Sequence, residues 1–204
     1  MMDSVIQNRI ISDEESAETL HYMVRAAIEV LRADNSYPIF INMISELVES
    51  LETNDNFLHS SFLCGVDDFD DDKVKERGTM VDKLTIELLR FLAMKVLLSD
   101  GINSYDENEG RNDKNRNANL RLNPSSIIRE SWNILMLLPL AYRHICKTFC
   151  VDVIDCNDDE LLGEKSSSSW GLKSYYWTID VYTNLYMSPP TKTFWPDSGK
   201  LVQR

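Results

Sequence analysis

The chain has 204 residues, 33 of them acidic and 21 basic, for a formal charge of −12. Hydrophobic residues make up 43%, enough to fill a sizeable core, which excludes a wholly disordered chain. The charge repels nucleic-acid phosphate and anionic membrane, and no dense Lys/Arg cluster offsets it, so neither is expected as a partner. The longest apolar run, Ile134 to Tyr142, is nine residues with Pro139 inside it, too short to span a bilayer. Seven glycines, none two apart, leave no Gly-rich phosphate loop. An acidic N-terminus without an apolar stretch and only four cysteines read as a soluble intracellular, cytoplasmic protein.

In chain order, Ser12 and Glu15 form a capping box that opens a first helix. Leu20, Val24, Ala27, Ile28 and Leu31 recur at helical spacing, and the helix should end near Asp34 and Asn35. Pro38 suits the first turn of a second helix, with Ile41, Ile44, Leu47, Val48 and Leu51 on its apolar face. A short helix is expected over 56–64. The run VDDFDDDKVKERG carries five aspartates, which repel one another and favour a solvated acidic loop over 66–78. Thr79 and Asp82 then start a helix through Leu84, Leu88, Phe91 and Leu92 to about Ser99.

Residues 99–123 hold seven asparagines and few apolar side chains, which predicts an Asn-rich loop. Pro124 and two serines open a helix faced by Ile127, Ile128, Trp132, Leu135 and Met136, and Pro139 must break or restart it. Val151 to Asp155 alternates and is β-branched, so it predicts one short strand. A polar linker over 165–169 leads to a last helix, Leu172 to Met187, stopped by Pro189 and Pro190. The expected fold is mainly α: an irregular bundle of five to seven helices with at most a short strand. Residues 1–164 form the helical core, and 165–204 a C-terminal helix and extended aromatic/Pro arm packed on it.

Three stretches occur in order: Glu87-Leu88-Leu89-Arg90-Phe91-Leu92-Ala93-Met94-Lys95; Leu122-Asn123-Pro124-Ser125-Ser126 with Ile128, Trp132, Leu135, Tyr142 and Cys146; and Tyr175, Thr178, Tyr182 and Tyr186 with Pro189-Pro190 and Trp195-Pro196. Together they resemble a family scattered among protists, algae and large DNA viruses, distantly similar to plant glycine-rich-domain proteins. The resemblance covers about residues 80–197 and implies no activity. Where that pattern has Trp-His, this chain has Trp132-Asn133; its Asp three before the Trp is Arg129, and its paired histidines are Asp155-Cys156. If those histidines bind metal in relatives, the resemblance implies that this chain has lost the usual ligands, since an amide such as Asn133 is a poor zinc ligand.

The residues themselves yield few chemical groupings. His144, Cys146, Cys150 and Cys156 are the right ligand types for zinc, but His144 lies about 200° around a helix from Cys146, so buried thiols are the simpler reading. EF-hand registers from Asp68 or Asp106 put Lys73 or Arg111 where glycine is required. Of the three histidines, His21, His59 and His144, none adjoins a nucleophile elbow. Glu87 and Glu130 cannot be singled out by spacing in so acidic a chain. Arg111, Lys114, Arg116 and Arg121 are interrupted by acids.

Tyr175, Thr178, Tyr182 and Tyr186 lie on one helical face, either packed in the core or offered to a partner. Trp170, Tyr182, Tyr186, Phe194 and Trp195 are therefore the partner-binding candidates, with Trp132, Asn133, Tyr142 and Cys146 as motif positions. The sequence points to a non-catalytic interaction or structural protein with a protein partner and no cofactor. The alternative is a metal-binding or enzymatic module that reuses Asn133, Asp155 and Cys156 around a cleft.

Overall fold

The computed structural model describes residues 14–53, 71–103, 122–154 and 168–196. Within them are six helices: α1 (Glu14–Ala33), α2 (Tyr37–Thr53), α3 (Asp71–Asn103), α4 (Ser126–Met136), α5 (Pro139–Thr148) and α6 (Ser168–Tyr186). The fold is mainly α. Ser12, the helix expected over 56–64 and most of the Asn-rich stretch lie outside the described residues.

The centre of the bundle is α3, which packs against α1, α2, α4 and α6. Its buried side chains include Leu84, Leu88, Leu89, Phe91, Leu92, Ala93, Met94 and Val96, which point around the whole circumference. A helix apolar on every side must be enclosed by others. The surrounding helices are one-sided: α1 buries Leu20, Val24, Ala27 and Leu31, and α2 buries Phe40, Ile44 and Val48. Each fully buried leucine or phenylalanine contributes about 1.5–3 kcal/mol relative to exposure.

Local chemistry sets the corners. At the α1–α2 turn the Asp34 carboxylate accepts the Ser36 N–H at 2.8 Å and the Ser36 hydroxyl, an Asx-type turn. Ser125 caps α4 by accepting the Ile128 N–H at 3.3 Å. The next helix begins at Pro139, which occupies the first turn, where its missing N–H costs nothing. Leu138 before it sits at φ −112°, ψ 77°, outside the helical region, as a residue before proline must. α5 ends on Cys150 with φ 59°, and the Val151 N–H reaches back to the Cys146 carbonyl at 3.0 Å. That is a Schellman closure with cysteine where glycine is favoured, at a cost of roughly 1–2 kcal/mol.

Three expectations are corrected. α3 begins at Asp71, not at Thr79, so the last part of the expected acidic loop is helical, and it runs on to Asn103, into the expected Asn-rich loop. Acids at a helix start are favoured by its dipole, an effect that opposes their mutual repulsion. The linker expected over 165–169 is helical from Ser168. No strand forms over Val151–Ile154, and none exists among the described residues. A strand needs a neighbouring ladder; here the Tyr142 hydroxyl takes that place, donating to the Ile154 carbonyl at 2.8 Å and accepting the Ile154 N–H at 3.2 Å.

Candidate functional site

Glu87 follows Leu84 by three residues and precedes Phe91 by four, which puts a carboxylate on the buried face of α3. It is 3% exposed. Burying such a group is tolerated only if its acceptor positions are filled. The last turns of α6 and the segment behind it fill them. Oε2 accepts the Tyr182 hydroxyl at 2.7 Å and the Trp195 indole N–H at 3.2 Å. Oε1 accepts the Thr191 hydroxyl at 3.0 Å and, at a long 3.5 Å, Arg90 Nη1. Arg90 also donates to the Tyr182 oxygen at 3.0 Å, its carbonyl accepts the Tyr186 hydroxyl at 2.8 Å, and its guanidinium lies 5.3 Å from the centre of the Tyr186 ring. The His21 ring meets the other side of this cluster, edge-on to Tyr186.

The phenols respond to this setting. Burial, with the Glu87 charge second, raises the Tyr182 pKa well above its ordinary value, and burial followed by Tyr182 does the same to Tyr186. Burial opposes the Arg90 charge, but Tyr182 and Glu87 outweigh it and its pKa moves upward. The carboxylate therefore sits in a saturated set of donors with no lone pair turned to a cleft. Such a group orders the polypeptide by tying α3 to α6 and to the segment behind it.

The second sequence block joins from the other side. The Asn123 N–H donates to Thr178 Oγ1 at 2.8 Å, and Arg129 Nη2 donates to Asn123 Oδ1 at 2.8 Å. Arg129 thus clasps the entry to α4. Trp132 packs edge-on to Phe91 at 5.9 Å, with Lys95 Nζ 4.8 Å above its ring. Its buried indole N–H has no hydrogen-bond partner among the described residues. Tyr142, pushed up to about 12 by burial and then by Cys146, pins the chain after α5, and Cys146 is fully buried. All three sequence blocks therefore converge on one interior region built on α3.

Four of the five partner-binding candidates have described side chains, and these four pack inward. Tyr182, Tyr186, Phe194 and Trp195 are buried inside the chain's own core, Trp195 against Phe91, Tyr175 and Tyr182. Folding back removes the apolar area of these rings from water, while Glu87 replaces the water that their O–H and N–H groups give up. The Trp170 side chain lies outside the described residues. Asn133 is exposed, while Asp155 and Cys156 lie outside the described residues, so Trp132 is packed and Asn133 faces away from the core.

Zinc ligation by the α5 residues meets a plain geometric obstacle. His144 Nδ1 is 2.9 Å from Asp34 Oδ2, Cys146 faces the core, and Cys150 is exposed beyond the helix end. Among the described residues no three His, Cys, Asp or Glu side chains converge as metal ligands. A notch between α1, α2 and α3, lined by Leu31, Arg32, Tyr37, Asp82 and Thr85, has a volume of about 10 Å³, room for one water. Among the described residues no helix is long and apolar enough to cross a membrane.

Glu87, Arg90 and Thr191 carry the interior network; the sequence places the first two in its first block without a role and does not point to Thr191. The available signal is positional: Glu87 shares a helical face with Leu84, Leu88 and Phe91. Comparison of the chain with known protein families, with curated proteins and with solved structures finds no match.

Proposed function

We propose that this protein is a non-catalytic interaction or assembly component that engages a protein partner through apolar side chains on its surface. One observation carries the reading. The α4–α5 corner presents Leu137 at 68% and Leu140 at 64% exposure on either side of the exposed Pro139. Fully burying each leucine against a partner is worth about 1.5–3 kcal/mol, and both stand mostly in solvent. Glu87, Arg90, Thr178, Tyr182 and Tyr186, by contrast, hold helices and their connecting segments together. In this reading the three sequence blocks are a folding signature of the resembled family, since their residues meet around Glu87 and Trp132.

The test joins association with stability. The double variant Leu137→Asp, Leu140→Asp should lose co-purifying protein while its unfolding free energy in urea stays within about 0.5 kcal/mol of wild type, as surface changes do. A wild-type protein that is strictly monomeric, with nothing bound from native extract, would contradict the proposal.

A further inference from the structure

The same corner continues into a face of unusual charge. Ser131 to Val151 is the longest stretch of this chain without a carboxylate, in a protein with 33 of them. Within it, Leu140, Arg143, His144 and Lys147 fall at offsets 0, 3, 4 and 7, one side of α5, and all four are exposed. Leu137, exposed at the end of α4, precedes that side across the proline corner. Among the described residues no carboxylate pairs with Arg143 or Lys147. Asp34 reaches the face only through His144, and its oxygens are also held by Ser36. The protein thus sets two cations, one helical turn apart, beside two exposed leucines on an otherwise acidic molecule.

We propose that this α5 face docks an acidic, amphipathic segment of a protein partner. The leucines would take the apolar side of the segment, and Arg143 and Lys147 would take two of its carboxylates spaced three or four residues apart. The proposal rests on the interaction reading above and supplies the chemistry of the partner.

Charge range favours a segment over larger occupants. At physiological salt the screening length is about 8 Å. A short acidic segment lying on α5 therefore feels mainly Arg143 and Lys147. A bilayer or a nucleic-acid duplex spreads negative charge across a wide face and meets the whole protein's −12. A second copy brings the same −12 and is opposed in the same way.

The experiment places a photoreactive benzophenone side chain at Leu140 of the full chain, irradiates it in native extract, and sequences the cross-linked peptides. A parallel protein carries the probe at Tyr176, exposed on α6. The expected product at Leu140 is an acid-rich, leucine-containing segment of another protein. Its yield should fall roughly tenfold when Arg143→Glu and Lys147→Glu are added, and should fall with rising salt. Capture alone, without that charge dependence, overturns the proposal. So does cross-linking at Leu140 to lipid, to nucleic acid, to a second copy or to an acid-poor segment. Products at Tyr176 with none at Leu140 overturn this face and the role of the α4–α5 corner, and leave only association through another surface. Products at neither position remove both.

Discussion

Replacing Glu87 by alanine leaves the Tyr182 hydroxyl, the Trp195 indole N–H and the Thr191 hydroxyl without their acceptor inside the core. Each orphaned donor carries a desolvation cost, and the variant should lose about 3–5 kcal/mol of stability in urea denaturation. Glu87→Gln keeps the shape but turns an amide N–H₂ toward these donors, so it should lose less than alanine and more than a surface change. Wild-type stability in either variant would contradict the network. The phenols give a pH test. Unfolded tyrosines ionise near pH ~10, whereas folded Tyr142 holds its proton to about 12, and Tyr182 and Tyr186 are shifted upward as well. The folded state therefore binds more protons above pH ~10, and its stability falls as pH rises from there. Phenolate absorbance should show part of the eight tyrosines titrating only as the protein unfolds; normal titration of all eight in the folded protein would contradict their burial. At this scale the sequence was half legible. The position of Glu87 on an apolar stripe could be read, but its donors lie roughly 100 residues away in the chain, and one sequence does not reveal which aromatic side chains fold back onto which acid.

Helix identity was legible wherever periodicity and proline agree. Pro139 divides α4 from α5, and the Ser125 cap and the α1 stripe were readable for the same reason: each is a local preference that tertiary packing reinforces. Two elements are not legible from one force alone. Aspartate repulsion favours a loop at Asp71, while the dipole of a helix start favours acids there. The β-branched alternation at Val151 suits a strand, but a strand depends on a neighbour, and Tyr142 takes up both polar groups of Ile154. The extended α3 carries its own test. Gly78 lies inside the helix, and a Cβ added there meets nothing within 4 Å. Gly78→Ala should therefore stabilise the protein by about 0.5–1 kcal/mol, read as a higher urea midpoint. A loop at that position would give no such gain.

Across the described residues, Glu87, Arg90, Tyr182, Tyr186 and Trp195 are spent on cohesion, and the leucines of a proline corner are left outside. α3 carries the carboxylate, α6 the phenols, and the segment after it the indole, so this knot forms only when residues far apart in the chain have come together. The most direct measurement is hydrogen exchange of the Trp195 indole N–H, followed by NMR against the global stability from urea denaturation. Bonded to Glu87 in the core, this proton should exchange only through global unfolding, with an opening free energy equal to the global value. Exchange as fast as that of an exposed indole would mean that the aromatic segment is detached from the bundle, and would contradict the account.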